Sequence, residues 1–346
     1  MAGEHQRDWP SLLSDLVAGR DLAREDCTWA MREIMSGEAS SVQIAGFLMS
    51  LRAKGETVDE MRGLADEMLE HATRFEAPSP SIDIVGTGGD RAHTVNISTM
   101  AAIVVASAGL TVVKHGNRAA SSSSGSADVL ESLGVDLSLS PTKVEAVATS
   151  AGITFCFAQL FHPSMRYAAE ARRGLGVATA FNFLGPLTNP AQPTYAAVGV
   201  ADRRMAPLVA GVFAGRRRDA AVFRGDDGLD ELTLATTSSV WWVRGGHIAL
   251  HRLDPQRLGL ATTPTDALRG GDPAYNAQVV RDLCEGARGP VRDAVVLNAG
   301  LALALAADVD TELHADVRAG MDRAEAAIDG GATKLLLHRW VDATRQ

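Results

Sequence analysis

A polar run of fifteen residues, K-H-G-N-R-A-A-S-S-S-S-G-S-A-D at positions 114–128, limits most strongly what this chain can fold into. It lies between an apolar, β-branched segment at 110–113 and a helix-like segment at 129–133. Open α/β sheets place their ligands in polar loops at the carboxyl ends of buried strands. Backbone N–H groups, hydroxyls and a lysine suit a phosphorylated ligand, whereas a flexible Ser/Gly linker would not continue a buried strand. The run therefore predicts a phosphate-binding loop in an α/β fold.

A glycine-rich loop at 86–90 supports the same prediction independently. Residues 81–85 have the pattern of a strand, G-T-G-G-D follows directly, and N-I-S-T at 96–99 opens an apolar helix. Glycines let a backbone approach a phosphate closely, and a helix amino terminus attracts anions. A dinucleotide fingerprint would need glycine at Arg91, and a Walker loop would need Gly-Lys, which the chain lacks. An ordinary strand-to-helix turn would explain this loop alone, but two such loops in adjacent βα units favour a shared phosphate site.

Four acids follow another predicted buried strand at 219–225, within the segment D-D-G-L-D-E at 226–231. Such acids repel one another unless solvent or a cation neutralises them. Near a phosphate site they suggest Mg²⁺, which usually takes one or two protein carboxylates together with substrate phosphates and water. An acidic surface turn is the alternative. Asp230 and Glu231 fit that alternative less well, because a leucine flanks the pair on either side.

In their order along the chain, these segments resemble those of the anthranilate phosphoribosyltransferase family. The resemblance covers essentially the whole chain and includes a further signature from Arg172 that ends in F-N-F-L-G-P-L-T-N-P at 181–190. It implies that the phosphoribosyl group of phosphoribosyl pyrophosphate (PRPP) passes to the amine of anthranilate, with release of pyrophosphate. That reaction is the second step of tryptophan synthesis from chorismate. The resemblance also implies one or two Mg²⁺ ions as cofactor.

Roles for individual residues follow from the resemblance. It implies that Lys114, Asp230 and Glu231 are catalytic and that Ser98, Asp230 and Glu231 hold Mg²⁺. PRPP would be bound by Gly86, Gly89, Asp90, Thr94, Asn96, Ile97, Ser98, Thr99, Lys114, His115, Gly116, Asn117, Arg118, Ala119, Ala120, Ser121, Ser122 and Ser126. Anthranilate would contact Gly86, Asn117 and Arg172, with His115 and His162 lining its path.

Three of these roles have simpler alternatives. Arg172 could offer two parallel donors to the anthranilate carboxylate, or it could lie exposed beside Arg173 on a solvated helix. His115 is expected to line the substrate site first and to act as a general base second, since an aromatic amine attacking a cation-like carbon needs little base assistance. Asn117 could be a turn residue with a left-handed backbone, although its place in the loop favours ligand contact.

The pattern along the chain predicts the α/β class, with a small all-helical domain and a larger α/β domain around a mostly parallel central sheet. Capping boxes at Ser40 and Thr57 start early helices. After a proline-bearing hinge at 77–80, strands and helices alternate. By resemblance, the strand-free stretch near 162–193 returns to the helical domain. The predicted domains are 1–77 plus about 162–193, and 78–161 plus 194–346, with the active site between them.

Bulk properties exclude several classes of protein. A net charge of −9 argues against nonspecific binding to nucleic acid or anionic membranes, and no apolar run reaches the ~20 residues that span a bilayer. The amino terminus lacks the apolar core of a signal peptide. Three isolated cysteines have the pattern of reduced thiols, so a cytoplasmic location is expected. The resemblance implies a homodimer joined through the helical domain, but an apolar helix face buried within one chain would give the same pattern.

Two other functions fit parts of the sequence. A pyrimidine nucleoside phosphorylase also joins a helical domain to an α/β domain, but its phosphate loop differs from K-H-G-N and it needs no D-G-L-D-E segment. A non-catalytic relative that binds nucleic acid would show a basic groove and a degraded metal or anthranilate site. This chain is acidic and keeps both. Retention on heparin at moderate salt is expected only of the nucleic-acid binder.

Overall fold

The computed structural model describes residues 7–119, 123–307 and 312–345. The chain begins with four helices, as the sequence predicts. Ser40 and Thr57 both cap helices through reciprocal capping boxes, and the apolar faces of the four helices pack into one core. These helices are α1 (Trp9–Val17), α2 (Arg24–Ser36), α3 (Ser41–Lys54) and α4 (Val58–Glu70).

A seven-stranded sheet follows, in the order β3-β2-β1-β4-β5-β6-β7. Its first five strands run parallel, at the positions that the apolar segments predict, and β6 and β7 add an antiparallel hairpin at one edge. The predicted mostly parallel sheet is confirmed. The strands are β1 (Ser81–Gly86), β2 (Thr111–Gly116), β3 (Ile153–Phe157), β4 (Tyr195–Gly199), β5 (Asp219–Gly225), β6 (Ser238–Arg244) and β7 (His247–Leu253).

Helices cover both faces of the sheet, so alternate residues of the central strands enter two different cores. On one face, α5 and α12 pack against β1 and β4, with α13 and α14 outside them, and on the other α10 packs against β5 and α4. None of the described helices is both long and apolar enough to cross a membrane. The helices after β1 are α5 (Ile97–Ser107), α6 (Ser126–Leu133), α7 (Pro141–Ala151), α8 (Ala158–Phe161), α9 (Ala169–Leu175), α10 (Ala206–Gly215), α11 (Pro273–Cys284), α12 (Pro290–Leu305), α13 (Leu313–Asp329) and α14 (Ala332–Arg345).

The stretch 162–193 contains no strand, as expected. It consists of α9 and short 3₁₀ turns at Pro163–Ala168, Ala180–Asn182 and Gly185–Leu187. The first turn packs against α2, and α9 packs against α3. This stretch therefore carries Arg172 on the side of the early helices, while the exact domain boundaries stay a prediction.

Candidate active site

Lys114 and His115 lie within β2 rather than in the loop after it. The sequence indicates a polar loop from position 114, but the strand runs through Gly116 and the loop begins at Asn117. The start predicted for the loop is therefore wrong. The Lys114 side chain is only 1% exposed, and its Nζ donates to the Ile84 carbonyl oxygen at 2.5 Å and to Ser98 Oγ at 3.2 Å. These partners let a strand bury an ammonium group.

Asp230 and Glu231 are buried at the edge of the sheet where β1 and β4 end. The Gly88 N–H donates to Asp230 Oδ2 at 2.6 Å, and the Ser98 N–H donates to Glu231 Oε1 at 3.1 Å. The glycine loop, the start of α5 and the acidic segment, which the sequence places far apart, therefore meet at one point.

The other two acids of that segment have a different environment. Asp226 and Asp227 are exposed, and Asp227 accepts hydrogen bonds from the hydroxyls of Thr233 and Thr265 at 2.7 and 3.1 Å. The surface-turn alternative therefore describes the first two acids, and the buried pair alone fits a cation site.

Two glycines make room for the buried segment. A Cβ added at Gly86 would overlap the Asp230 carboxylate, and one added at Gly199 would overlap the Asp230 carbonyl oxygen. Neither glycine has a positive φ, so the requirement is close approach rather than backbone conformation. Gly86, singled out for phosphate and anthranilate contact, is thus also required for packing against Asp230.

The charges at this point are incompletely neutralised. Burial raises the pKa of Asp230, and the nearby Asp90 adds to that shift. Burial also raises the pKa of Glu231, and the Asp230 charge raises it further. Burial lowers the pKa of Lys114, against the opposing effect of Asp83, Glu231 and Asp230. Two buried carboxylates close to a single buried ammonium favour binding of a further cation.

The donors at this point fit Mg²⁺. Carboxylate oxygens of Asp230 and Glu231 lie beside the Ser98 backbone and hydroxyl, which Lys114 holds, and hard oxygen ligands are those that Mg²⁺ prefers. Within the described ranges, no group of three or more His, Cys, Asp or Glu side chains could hold a metal ion. A Mg²⁺ ion at this pair would therefore need oxygens from substrate phosphates and water as well.

A chain of amide hydrogen bonds connects the two predicted phosphate loops. Asn96 Nδ2 donates to the Ser124 carbonyl oxygen at 3.1 Å, and Asn96 Oδ1 accepts from Asn276 Nδ2 at 2.8 Å. Asn276, on α11, in turn accepts from the Gly271 N–H at 2.9 Å. The Asn96 side chain is thereby fixed in one orientation between the two loops.

The polar loop after β2 is anchored by Asp128. Its Oδ2 accepts from the N–H groups of Ala119 and Gly125 at 3.0 and 2.9 Å. The Arg118 guanidinium pairs with Asp128 and Glu131 at 3.0 and 2.5 Å, so it points towards α6. Ala120, Ser121 and Ser122 lie outside the described residues.

The other residues predicted to bind PRPP lie on or next to the elements that carry the two loops. Ile97 and Thr99 are buried on α5. Asp90 accepts from the Ala92 N–H at 3.1 Å, and Thr94 forms an isolated bridge to Arg269. Gly89 is exposed, Gly116 ends β2, and Ser126 begins α6.

His115 faces the stretch that carries Arg172. Its Nδ1–H donates to the Gly185 carbonyl oxygen at 2.9 Å, and its ring centroid lies 5.2 Å from that of His162. Burial lowers the pKa of both imidazoles, that of His162 to about 3. Both rings are therefore neutral near pH 7, so they can line a substrate path without adding charge to it.

A polar network behind His115 escaped prediction from the sequence. Asp83 Oδ1 accepts from the His115 N–H at 3.0 Å, and Asp83 Oδ2 accepts from Asn189 Nδ2 at 2.8 Å. Asn189 Nδ2 also donates to the Val113 carbonyl oxygen at 2.8 Å. The carboxylate in the otherwise apolar strand S-I-D-I-V was a visible signal, because a buried acid needs such partners.

The neutral His162 predicts a specific dependence of stability on pH. A folded-state pKa of about 3, against about 6.5 in the unfolded chain, stabilises the fold fully above pH 6.5 and progressively less as pH falls towards 3. From pH 6.5 to 5 the wild type should lose about 1.6 kcal/mol more of its unfolding free energy than His162→Gln does. Urea denaturation at the two pH values measures this difference. Replacement of the exposed His247 by glutamine should leave the dependence unchanged, and an equal slope for wild type and His162→Gln would contradict the prediction.

Arg172 lies on α9 with a solvent-accessible side chain. Protein atoms nevertheless surround its guanidinium closely enough to lower its pKa by desolvation. In the part of the chain that the structure describes, no carboxylate pairs with this guanidinium, so it is available to an anionic ligand.

The chain matches both halves of one enzyme family. Residues 10–72 match the helical bundle domain of the glycosyl transferase family, and residues 79–334 match its a/b domain. The anthranilate phosphoribosyltransferase of Thermobifida fusca is 58% identical over 98% of this chain and 98% of that protein.

Solved structures agree with this match. The crystal structure of anthranilate phosphoribosyltransferase from Thermus thermophilus is similar with a TM-score of 0.90 at 39% identity, over 97% of this chain and 99% of that one. The Saccharomyces cerevisiae enzyme, solved in complex with PRPP and Mg, has a TM-score of 0.89 at 26% identity, over 97% of this chain and 98% of that one.

Proposed function

The chain belongs to the anthranilate phosphoribosyltransferase family, and we propose that the buried carboxylates, Lys114 and the two polar loops form its active site. The activity itself follows from the family: the phosphoribosyl group of PRPP passes to the amine of anthranilate, which yields N-(5-phosphoribosyl)anthranilate and pyrophosphate in tryptophan synthesis. The observation that best supports the site is the meeting of Asp230 with Gly88 and of Glu231 with Ser98.

The donor is proposed to lie where the two loops converge on the carboxylates. N–H groups and hydroxyls of the loops would bind the phosphates of PRPP, and Asn96 would fix the spacing between the loops. As the bond between the anomeric carbon and pyrophosphate breaks, the sugar becomes cationic and the leaving group gains negative charge. Fixed positive charge near the leaving group is therefore what the site must supply.

Lys114, which lies on β2 before the loop begins, would supply part of that positive charge. Because an ammonium group only donates, Ser98 Oγ accepts from it and keeps its own proton for an acceptor on the donor substrate. Asp230, Glu231 and Ser98 would hold Mg²⁺, which when bound neutralises phosphate charge. We propose one or two such ions, with these three residues as their protein ligands.

Anthranilate is proposed to enter between the sheet and the 162–193 stretch. Arg172 would bind its carboxylate, the neutral rings of His115 and His162 would line the path, and Asn117 and Gly86 would lie nearest the donor. Asn117 is exposed at the start of the loop, and its side chain accepts from the Arg118 N–H at 2.8 Å. The aromatic amine is unprotonated near neutral pH, and Arg172 can align it with the sugar.

Three further features stay proposals. The helical domain is 1–77 plus about 162–193, and the α/β domain is 78–161 plus 194–346. A homodimer joined through the helical domain is favoured by exposed apolar side chains on that side, among them Val17 and Val42, which are 79% and 81% exposed. A cytoplasmic location agrees with the three free cysteines.

Replacing Arg172 with alanine is expected to raise the anthranilate KM by about 10- to 100-fold, the range for loss of a charge-assisted hydrogen-bonded pair. The PRPP KM should change by no more than about threefold, because phosphate contacts lie elsewhere. Arg173→Ala, one position along α9, is the matched control and should change neither constant. A larger rise in the PRPP KM than in the anthranilate KM would refute the assignment.

The activity is tested by following anthranilate fluorescence as PRPP is added, with Mg²⁺ present and then chelated. Loss of fluorescence that requires both PRPP and Mg²⁺ is expected. Phosphorolysis of pyrimidine nucleosides and retention on heparin at moderate salt should both be absent. Unchanged fluorescence with folded protein would contradict the proposed acceptor.

A further inference from the structure

The buried carboxylates lie on a segment that has no regular secondary structure of its own. Residues 226–237, between β5 and β6, contain neither helix nor strand, yet Leu232 within them is fully buried. A buried loop must find partners for its backbone N–H and C=O groups, because an unpaired one costs free energy. The position of Asp230 and Glu231 therefore depends on whatever supplies those partners.

One side chain supplies both partners of Leu232. Asn298 lies on α12 and is 2% exposed. Its Oδ1 accepts from the Leu232 N–H at 2.9 Å, and its Nδ2 donates to the Leu232 carbonyl oxygen at 3.1 Å. This pair of bonds is the pattern with which a neighbouring β-strand would hold the residue.

The Asn298 amide is itself held in a single orientation. Its Nδ2 also donates to the Ala294 carbonyl oxygen, one turn earlier on α12, at 2.9 Å. A reversed amide would place its oxygen against two carbonyl oxygens, so the side chain cannot rotate without losing three hydrogen bonds. Asn298 thus transmits the position of α12 to Leu232, the residue directly after Glu231.

The segment is also confined at Asp230. Asp230 lies against Gly86 and Gly199 with no room for a Cβ at either. We propose that Asn298 is a positioning residue for the two carboxylates that would bind Mg²⁺. Its hydrogen bonds hold the backbone of Leu232. Asp230 and Glu231 thereby keep their hydrogen bonds with the N–H groups of Gly88 and Ser98. This inference rests on the proposed assignment of Asp230 and Glu231 as Mg²⁺ ligands.

Asn298→Leu tests the inference, since leucine fills the same space but pairs with neither backbone group of Leu232. The apparent Mg²⁺ constant for turnover should rise by about tenfold or more, as for other residues that orient metal ligands. The anthranilate KM should stay within about twofold, since Arg172, the proposed partner of the anthranilate carboxylate, lies on α9 and not on the segment that Asn298 holds. Mn²⁺ binding to the protein with PRPP present and anthranilate left out, so that no transfer takes place, should weaken in parallel when followed by electron paramagnetic resonance.

Thr154→Val is the matched control for loss of a buried hydrogen bond. Thr154 lies on β3, away from the carboxylates, and its Oγ1 donates to the carbonyl oxygen of Val144 on α7 at 2.9 Å. Thr154→Val should lower the melting temperature without changing the apparent Mg²⁺ constant for turnover or the Mn²⁺ affinity. If Asn298→Leu lowers the melting temperature alone, as the control does, Asn298 is merely structural and the inference is wrong.

Two additions separate the possible failures. Asp230→Asn is measured in parallel: if it leaves the Mg²⁺ constant unchanged, the proposed metal site is wrong and the inference falls with it. If Asp230→Asn weakens Mg²⁺ binding and Asn298→Leu does not, only the inference fails. Should Asn298→Leu not fold, Asn298→Ser replaces it with the same expectation. In the unchanged protein, the Leu232 amide should exchange with deuterium as slowly as the amides of α12, and rapid exchange would overturn the inference.

Discussion

Asp230→Asn combined with Glu231→Gln is expected to reduce turnover by at least about a thousandfold, the scale associated with losing electrostatic stabilisation of a leaving group. Both replacements keep the shape of the side chain and remove its charge. The amides can still accept from Gly88 and Ser98, so the fold should survive. Steady-state kinetics at several Mg²⁺ concentrations measures the effect, and the loss should not be rescued by excess Mg²⁺.

The same double variant, without Mg²⁺, should lose less stability than the wild type as pH rises from about 4 to 7. The folded-state pKa of each acid is raised by burial, so these groups favour the fold fully only below the unfolded pKa near 4. That stability is lost as pH rises through the raised pKa, and neutral amides avoid the loss. Asp226→Asn is the control, because this exposed acid belongs to the same segment and should leave turnover within about twofold. Turnover retained within tenfold in the double variant would place the metal elsewhere.

Local sequence pattern predicts the parallel part of the sheet because each strand there is a short apolar run that ends in a polar loop. The hairpin β6–β7 was missed, although its signal exists. Gly245 and Gly246, with φ of 58° and 89°, separate the run S-S-V-W-W-V-R from the run H-I-A-L-H-R-L, and two glycines between two strands are a recognised hairpin turn. β7 presents most of its side chains to solvent, so it lacks the continuous apolar run that identified the other strands.

Within the site, the sequence predicts which residues have the right chemistry better than it predicts where they lie in the fold. The flanking leucines distinguish Asp230 and Glu231 from the other two acids of the segment, and in the structure Asp230 and Glu231 are the two that are buried. The sequence places Lys114 in a loop, since a buried ammonium is rare, and only the tertiary contacts with Ile84 and Ser98 explain the strand position.

The residues that the sequence does not identify form hydrogen bonds with site residues that are distant along the chain. Asn276 pairs with Asn96 across 180 positions, and Asn298 pairs with Leu232 across 66. An asparagine inside a helix carries no local sign of such a partner, because its hydrogen bonds depend on how the helix packs. Sequence therefore identifies the groups that contact ligands more readily than those that hold such groups in place.

Gly199→Ala is expected to lower kcat/KM by about a hundredfold or more, through displacement of Asp230 by an ångström or so. The added methyl group would overlap the carbonyl oxygen of Asp230. Gly199 cannot move away, because β4 pairs with β1 on one side and with β5 on the other. The irregular 226–237 segment must move instead, and it carries the carboxylates with it. The melting temperature should also fall, since overpacking a core typically costs about 1–3 kcal/mol.

Gly46→Ala is the matched control, because it adds the same methyl group to α3 in a roomy position. The nearest atoms to its Cβ are those of Leu13, at 3.7 Å, and alanine in a helix should stabilise by up to about 1 kcal/mol. Kinetics and thermal denaturation of both variants separate displaced carboxylates from general damage to the fold. In Gly199→Ala, activity should fall even at temperatures where the protein is fully folded. Full activity there would mean that the segment adjusts without moving Asp230, and that its close packing against β4 does not set the position of the carboxylate.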